Sequence, residues 1–357
     1  MKRVLCLLLS TLFFGGSLRA QEVEVVVSEQ INEPFSICFD EEGHLYGVEF
    51  TRGNRVFKVS RDGDLSFVAG VKSTTNPKSG DVGGVDGDDP VNAHFHGMHD
   101  LAMGSNGDLY LADTFNYRLR RITGATGELE TVVGTGESGF SGDGGPGDEA
   151  KLSGVYSLSF NADESLLYLA DLKNRRIRAF DPDEGTVRTV VGNGEKGRPT
   201  NGTRALDAPL PGPRAVALDG EENIYIVSRE GHALRVVGRD GRLRTLVNES
   251  GKKGYGGDGG KDARKALMSG PKHACIDPEG NVLIADTENH AIRKFVPSEG
   301  RIYLVAGVPE TKGSVIGGGP LETLLNRPHG VRVHDGWLYI ADSSNDRVLR
   351  FRYGDNS

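Results

Sequence analysis

The chain has 357 residues, 37% of them apolar and 26% charged, and a formal net charge of −8. An acidic chain with no basic block excludes the electrostatic footprint of a nucleic-acid binder or of a protein held on an anionic membrane. The 51 glycines gather between short strand-like runs and no composition break divides the chain, so one end-to-end array is expected.

In chain order, residues 1–20 stand apart. Lys2 and Arg3 precede an apolar run from Val4 to Phe14, and small residues lead to Leu18-Arg19-Ala20. This is the pattern of a secretory signal peptide cleaved after Ala20, and the run is too short to span a bilayer. Export is expected, to the periplasm or the cell exterior, without a membrane anchor. Losing Lys2, Arg3 and Arg19 takes the formal charge from −8 to −11.

Glu22 to Ser28 follows as a β-rich run, with Val23, Val25 and Val27 on one face. Then four strand-like runs occur in sequence: Pro34 to Phe39, His44 to Glu49, Val56 to Val59 and Leu65 to Ala69. They are joined by Asp- and Gly-bearing turns. The set repeats with Asp100 to Met103, Asp108 to Ala112, Leu119 to Ile122 and Leu129 to Val133, and again down the chain. Tyr46, Tyr110, Tyr168, Tyr225, Leu283 and Tyr339 mark equivalent positions 56 to 64 residues apart.

Six such units cannot bury their own faces, so they must stack. The architecture expected is all-β: a six-bladed propeller of four-stranded antiparallel sheets over residues 21–357, a single domain and a monomer. The sixth copy has only Gly330 to Val333, Trp337 to Ala341 and Val348 to Arg352, so residues 22–28 are expected to pair into it and close the ring.

Gly-rich connectors join the copies, and Asp148 to Leu152 and Lys261 to Leu267 carry short helical patterns within them. The connectors all run from an outer strand to the next inner strand, so they lie on one face of the disc, which is where a ligand is to be sought. The P-loop signature is absent. A calcium site would need the acidic group Asp81, Asp86, Asp88 and Asp89 to converge, and turn formation is the simpler expectation. Cys38 and Cys275 hold the same place in copies one and five, which are not neighbours in a ring of six, so both are expected free and buried. Asn201 and Asn248 begin glycosylation sequons.

The strongest repeat is Asp286-Thr287-Glu288-Asn289-His290-Ala291-Ile292-Arg293, echoed at Asp113/Asn116, Asp171/Asn174 and Asp342/Asn345. With the Gly-Asp-Gly-Gly connectors at residues 142–145 and 257–260, it resembles the NHL family's Asp-x-x-Asn-x-x-Ile-Arg core over nearly all of residues 22–353. The resemblance implies a propeller. For function it implies a choice among binders of protein, sugar or nucleic acid and enzymes such as the peptide-amidating lyase. Four copies of an Asp/Asn pair suit a scaffold better than a single reaction centre. The cations Lys58, Arg120, Arg178, Arg235 and Arg293 recur too and are expected to be solvated or sheet-bridging, while His44, His232 and His290 are expected on the surface.

The informative position is the one that varies within the frame. The residue starting each innermost strand is Phe35, His99, Tyr156, Arg214, Lys272 and His329, and in a propeller these six ring the mouth of the central channel. Lys272 and Arg214 suit an anion, His99 and His329 suit hydrogen bonding, and Tyr156 and Phe35 suit an aromatic wall. In the amidating lyase zinc histidines come from such strand starts on alternate blades, so the resemblance implies zinc, a divalent metal, on His99 and His329. Arg214 stands at the third position and cannot ligate, which leaves His94 or His96 to supply the ligand. The expected function is an exported binding scaffold for a small polar or anionic ligand, glycan, peptide or protein. The alternative is a metal-assisted lyase or hydrolase with Tyr156 as general acid or base and Arg214 as anion clamp. A third reading is an interaction disc with no small-molecule site.

Overall fold

The computed structural model describes residues 22–72, 86 and 89–354. The signal-peptide reading of residues 1–20, and Asp81 and Asp88 of the acidic connector, lie outside them. Six antiparallel sheets form the blades of a propeller. Blade one is Pro34–Phe39, Leu45–Glu49, Val56–Val59 and Leu65–Ala69 in spatial order, innermost strand first. Blades three and four each gain a two-residue outer strand from the preceding connector, Gly145–Pro146 and Thr203–Arg204. Among the described residues no helix is long and apolar enough to cross a membrane.

Glu24–Val27 lies antiparallel to Arg347–Arg352, with Val25 opposite Leu349, and closes blade six as expected. The three valines do not share a buried face, however. A bulge between Val25 and Val27 breaks the alternation, leaving Val25 45% exposed while Val23 joins the core and Val26 and Val27 pack beside it. The helical patterns in the connectors are also weaker than expected. Ala263–Lys265 makes one 3-10 turn, and residues 148–152 are irregular.

Each strand alternates its side chains across the blade, so every blade offers an apolar face to each neighbour. The core is accordingly divided into six clusters, one per junction. Val227 and Leu234 meet Val282 and Ile284 between blades four and five, for example, and Leu45 and Phe57 meet Tyr339 and Val348 across the closing seam. Cys38 and Cys275 are buried, free and in separate clusters, with burial pushing both thiols up to about 12.

Two belts of hydrogen bonds tie the blades near the axis. One residue beyond the strand start, a polar side chain accepts from a backbone N–H of a neighbouring blade. Leu158 N donates to Asp100 Oδ2 (2.8 Å), Val216 N to Ser157 Oγ (3.3 Å) and Val331 N to His273 Nδ1 (3.4 Å). At the hairpin corners a hydroxyl donates to a carbonyl of the next blade: Thr114 to Val155 (2.6 Å), Thr287 to Pro328 (2.7 Å) and Ser343 to Pro34 (2.6 Å). The last of these spans the seam.

The corner carboxylates behave as scaffold. Asp113, Asp171, Asp286 and Asp342 each accept from a connector N–H on one oxygen, and on the other from the Asn three residues on, at 2.7–2.9 Å. The left-handed turn residue is the one after that Asn: Tyr117, Arg175, His290 and Asp346. Burial pushes the first three carboxyls up to about 6. Because the shift recurs at equivalent corners, it belongs to the repeat and marks no reaction centre.

The third-strand arginines are not solvated. Arg120, Arg178, Arg235 and Arg293 are at most 2% exposed. Arg178 donates to Asp143 (2.8 Å) and to the carbonyls of Lys151 and Ser141, and Arg293 to Asp258 (2.9 Å) and the carbonyls of Leu267 and Gly256. Asp143 and Asp258 are the acids of the Gly-Asp-Gly-Gly connectors, so that motif clamps a guanidinium. Asp86 likewise receives Arg120 at 3.0 Å, while Asp89 caps the turn Pro90–Asn92. Nor are the corner histidines simple surface groups. His232 and His290 are half-buried and accept from Gly270 N and Arg327 N at 3.0 Å, and His44 pairs with Asp40 at 2.8 Å.

Candidate functional site at the channel mouth

The six strand-start residues come together. Phe35, His99, Tyr156, Arg214, Lys272 and His329 line one cavity of about 240 Å³, and each is 4–9% exposed. They touch in ring order. Phe35 meets His99 edge-on at 5.2 Å, His99 lies 4.3 Å from the Tyr156 ring, and the Arg214 guanidinium stands 4.6 Å over Tyr156. On the other side Lys272 Nζ lies 3.2 Å from His329 Nε2, and His329 stacks on Phe35 at 3.9 Å. Arg214 and Lys272 make the one junction of the ring with no bond or ring contact, and it consists of two like charges.

Backbone carbonyls set the histidine tautomers. His99 Nδ1 lies 2.8 Å from Gly97 O and His329 Nδ1 lies 2.8 Å from Arg327 O, so each δ nitrogen carries the proton and each Nε2 is an acceptor. Burial, with Arg214 and Lys272 nearby, holds both imidazoles well below their ordinary value, and they are neutral. Lys272 donates to His329 Nε2 and to Glu288 Oε1 (2.9 Å). Burial outweighs that carboxylate and brings the ammonium down to about 7. Arg214, its Nη1 on Tyr156 O (3.0 Å), is drawn down by burial to about 10.

The four guanidinium and ammonium groups lining the mouth are Arg214, Arg229, Lys272 and Arg327. Of the nearby carboxylates, Glu33 pairs with Arg52 (3.2 Å), and Glu288 is shared by Lys272 (2.9 Å) and Arg327 (2.8 Å), which leaves Arg214 and Arg229 without an acid among the described residues. Phe50 and Phe115 extend the aromatic wall. Sequence reasoning missed Phe50, Phe115, Arg229 and Ser344. They lie at or just beyond the hairpin corners, where residue type also varies from blade to blade, and the same test of variation within a repeated frame would have found them.

The histidines do not assemble as a zinc centre. Phe35 contacts both His99 and His329, Lys272 already donates to His329 Nε2, and His96 leans on Phe115. His94 is exposed, and its carbonyl accepts from Asn116 Nδ2 (3.5 Å). Among the described residues the one group of three donor side chains close enough to share an ion is Asp40, Glu42 and His44, on a surface turn. A lysine and an arginine in the ring are also the wrong donors for a cation, so the residues present do not fit the metal that the lyase resemblance implies. A buried Ser36, His273 and Asp100 set below the mouth is no triad either, since serine and carboxylate both face His273 Nε2 (3.4 and 3.8 Å).

Comparison with known proteins agrees with this fold. The NHL repeat family matches residues 268–295, and the teneurin NHL domain matches residues 17–123. The chain is an NHL-repeat propeller. Human NHL repeat-containing protein 2 is 24% identical over 344 residues, covering 88% of this chain and 46% of that protein. The propeller spans half or less of the length of the curated relatives it matches. Among solved structures, an auxiliary nutrient binding protein from Bacteroides ovatus superposes with a TM-score of 0.63 at 17% identity, covering 91% of this chain and 70% of that one. Virginiamycin B lyase from Staphylococcus aureus superposes with a TM-score of 0.54 at 12% identity, covering 94% and all of that chain. Both likenesses establish the propeller fold alone.

Proposed function

We propose that this propeller is an exported binding scaffold whose channel mouth takes a small ligand with an aromatic or otherwise flat body and one anionic group. The observation that carries the reading is the Arg214/Lys272 junction: two buried cations, unbridged, beside an aromatic wall. An anion between them relieves their repulsion and receives charge-assisted hydrogen bonds in a site of low dielectric, where these are strong. The neutral Nε2 of His99 accepts from a ligand hydroxyl or amide, and Phe35, Phe50, Phe115 and Tyr156 cover the apolar body.

Calorimetric titration with benzoate, and with benzyl alcohol as its neutral counterpart, tests this. Benzoate is expected to bind about ten-fold more tightly or better. Equal affinity for the two, or none for either, refutes the reading. A second reading is favoured by the Lys272–His329 contact. An ammonium titrating near 7 beside a neutral imidazole is a proton donor poised for metal-free acid–base chemistry, with Tyr156 and Arg214 alongside. Turnover of a bound ligand that Lys272→Met abolishes while binding persists would establish it. For the leader, the proposal is cleavage after Ala20 with residues 21–357 exported as one domain, read by N-terminal sequencing of the extracytoplasmic product. A chain beginning at Met1 in the cytosol refutes it.

A further inference from the structure

Blade four has lost the clamp that its neighbours keep. In blades two, three and five the third-strand arginine is fully buried and meets a connector carboxylate: Arg120 with Asp86, Arg178 with Asp143, Arg293 with Asp258. Arg235 holds the same position and is 2% exposed. The connector residue equivalent to Asp143 is Asn201, and the corner residue equivalent to Asp171 is Ser228. Asn201 Oδ1 accepts from Thr245 N (2.7 Å), on the residue paired across the sheet with Arg235, and Asp86 accepts from the hydroxyl of the corresponding Thr131, opposite Arg120 (3.0 Å). The place of the clamp is kept and its charge is gone.

What remains is a buried guanidinium without an acid. Arg235 Nε and Nη1 have no hydrogen-bond partner among the described residues. The side chain lines a cavity of about 320 Å³ together with Arg175, Lys196 and Arg198, and Glu230 is the single carboxylate on its wall. Among the described residues no carboxylate lies within ion-pair distance of any of the four cations. Arg198 and Arg175 spend one nitrogen each on the carbonyls of Ser250 and Gly194. Burial and the nearby Arg198 draw Arg235 down to about 10, as expected of a cation lacking compensation. A buried unpaired charge costs several kcal/mol, so a blade that keeps the arginine and discards both its acids has exchanged an internal partner for an external one.

We propose that this cavity in blade four is an oxyanion site, taking a phosphate or sulfate group as the acid partner of Arg235, the role that Asp143 and Asp258 have in blades three and five. Arg235 forms its floor, with Nε and Nη1 unpartnered, and the exposed Lys196 and Arg198 form its rim. The site does not rest on the channel-mouth reading, although Arg229 lines the mouth and its neighbour Glu230 lines this cavity.

Thermal unfolding of the full mature chain in inorganic phosphate, in sulfate and in sodium chloride at matched ionic strength tests it. Phosphate, sulfate or both are expected to raise Tm beyond the chloride control, and whichever does so more is the preferred oxyanion. Arg235→Met removes that increment. Asn201→Asp restores the acid of the other blades, so it removes the increment and raises the anion-free Tm. Arg198→Ala, an exposed change that leaves the fold intact, weakens the anion about ten-fold. Benzoate binding at the mouth stays unchanged in all three, which separates this proposal from the one above. Equal Tm values in all three salts, or a full increment retained in Asn201→Asp and Arg198→Ala, overturn it.

Discussion

The hairpin corners and the strand starts lie close together in every blade, yet their chemistry runs in opposite directions. At the corners, four blades use the same Asp and Asn with the same partners, within 2.7–2.9 Å. At the strand starts, adjacent blades never repeat a side chain, and the six residues face a shared cavity in place of six separate pockets. A ring needs its fasteners once per blade and its ligand site once in all. Repetition therefore points to the fold, and departure from repetition points to function. Blade four extends the lesson to the third strand, where Arg235 is constant and its acids are not.

The comparison is broken most severely by opening the ring. Deleting residues 22–28 removes the outer strand of blade six and the seam contacts of Val23, Val26 and Val27. That loss is comparable with the roughly 5–15 kcal/mol that holds a domain together, so size-exclusion chromatography and circular dichroism should show no folded monomer. Next comes Asp286→Ala, which strands Ser269 N and removes the carboxylate that Asn289 and the buried Arg293 share. Urea denaturation should record a loss of roughly 3–5 kcal/mol, with benzoate affinity unchanged where the protein is still folded.

At the mouth the signs reverse. Lys272→Met should weaken benzoate roughly ten- to a hundred-fold while leaving the fold as stable or more so, because a buried ammonium is costly. Wild-type affinity should fall as pH rises through about 7, where the ammonium is lost, and the variant should show no such step. Stability runs the other way. Lys272 titrates near 7 in the fold and near 10.5 in the unfolded chain, so between those values the unfolded state binds more protons. The wild type should therefore become more stable as pH rises from 7 towards 10, and the stability advantage of Lys272→Met should shrink over that range. The smallest effect is that of Phe115→Ala, roughly 1 kcal/mol of benzoate affinity, since the ring only extends the wall.

Much of this was legible in the residues. The strand set of blade one, the missing strand of blade six and the six mouth residues follow from period and position alone. Less legible was whatever depends on burial. Arg120, Arg178 and Arg293 read as solvated or sheet-bridging cations, because a strand that alternates does not say which polar side chain a connector will cover. The clue was present all the same, since Asp143 precedes Arg178 by the same interval as Asp258 precedes Arg293. The bulge that turns Val25 outward comes from pairing with a strand more than 300 residues away, which no local pattern encodes. The zinc reading came from a resemblance that transferred ligand positions from alternate blades, and Arg214 at one of them, with Lys272 on His329, does not suit a metal.

The most direct measurement is the titration of the Lys272 side chain by NMR, with and without saturating benzoate. The account predicts a midpoint near 7 in the free protein that moves upward when the anion binds, because a charge placed between Lys272 and Arg214 stabilises the ammonium. A midpoint and chemical shift unaltered by benzoate would contradict it.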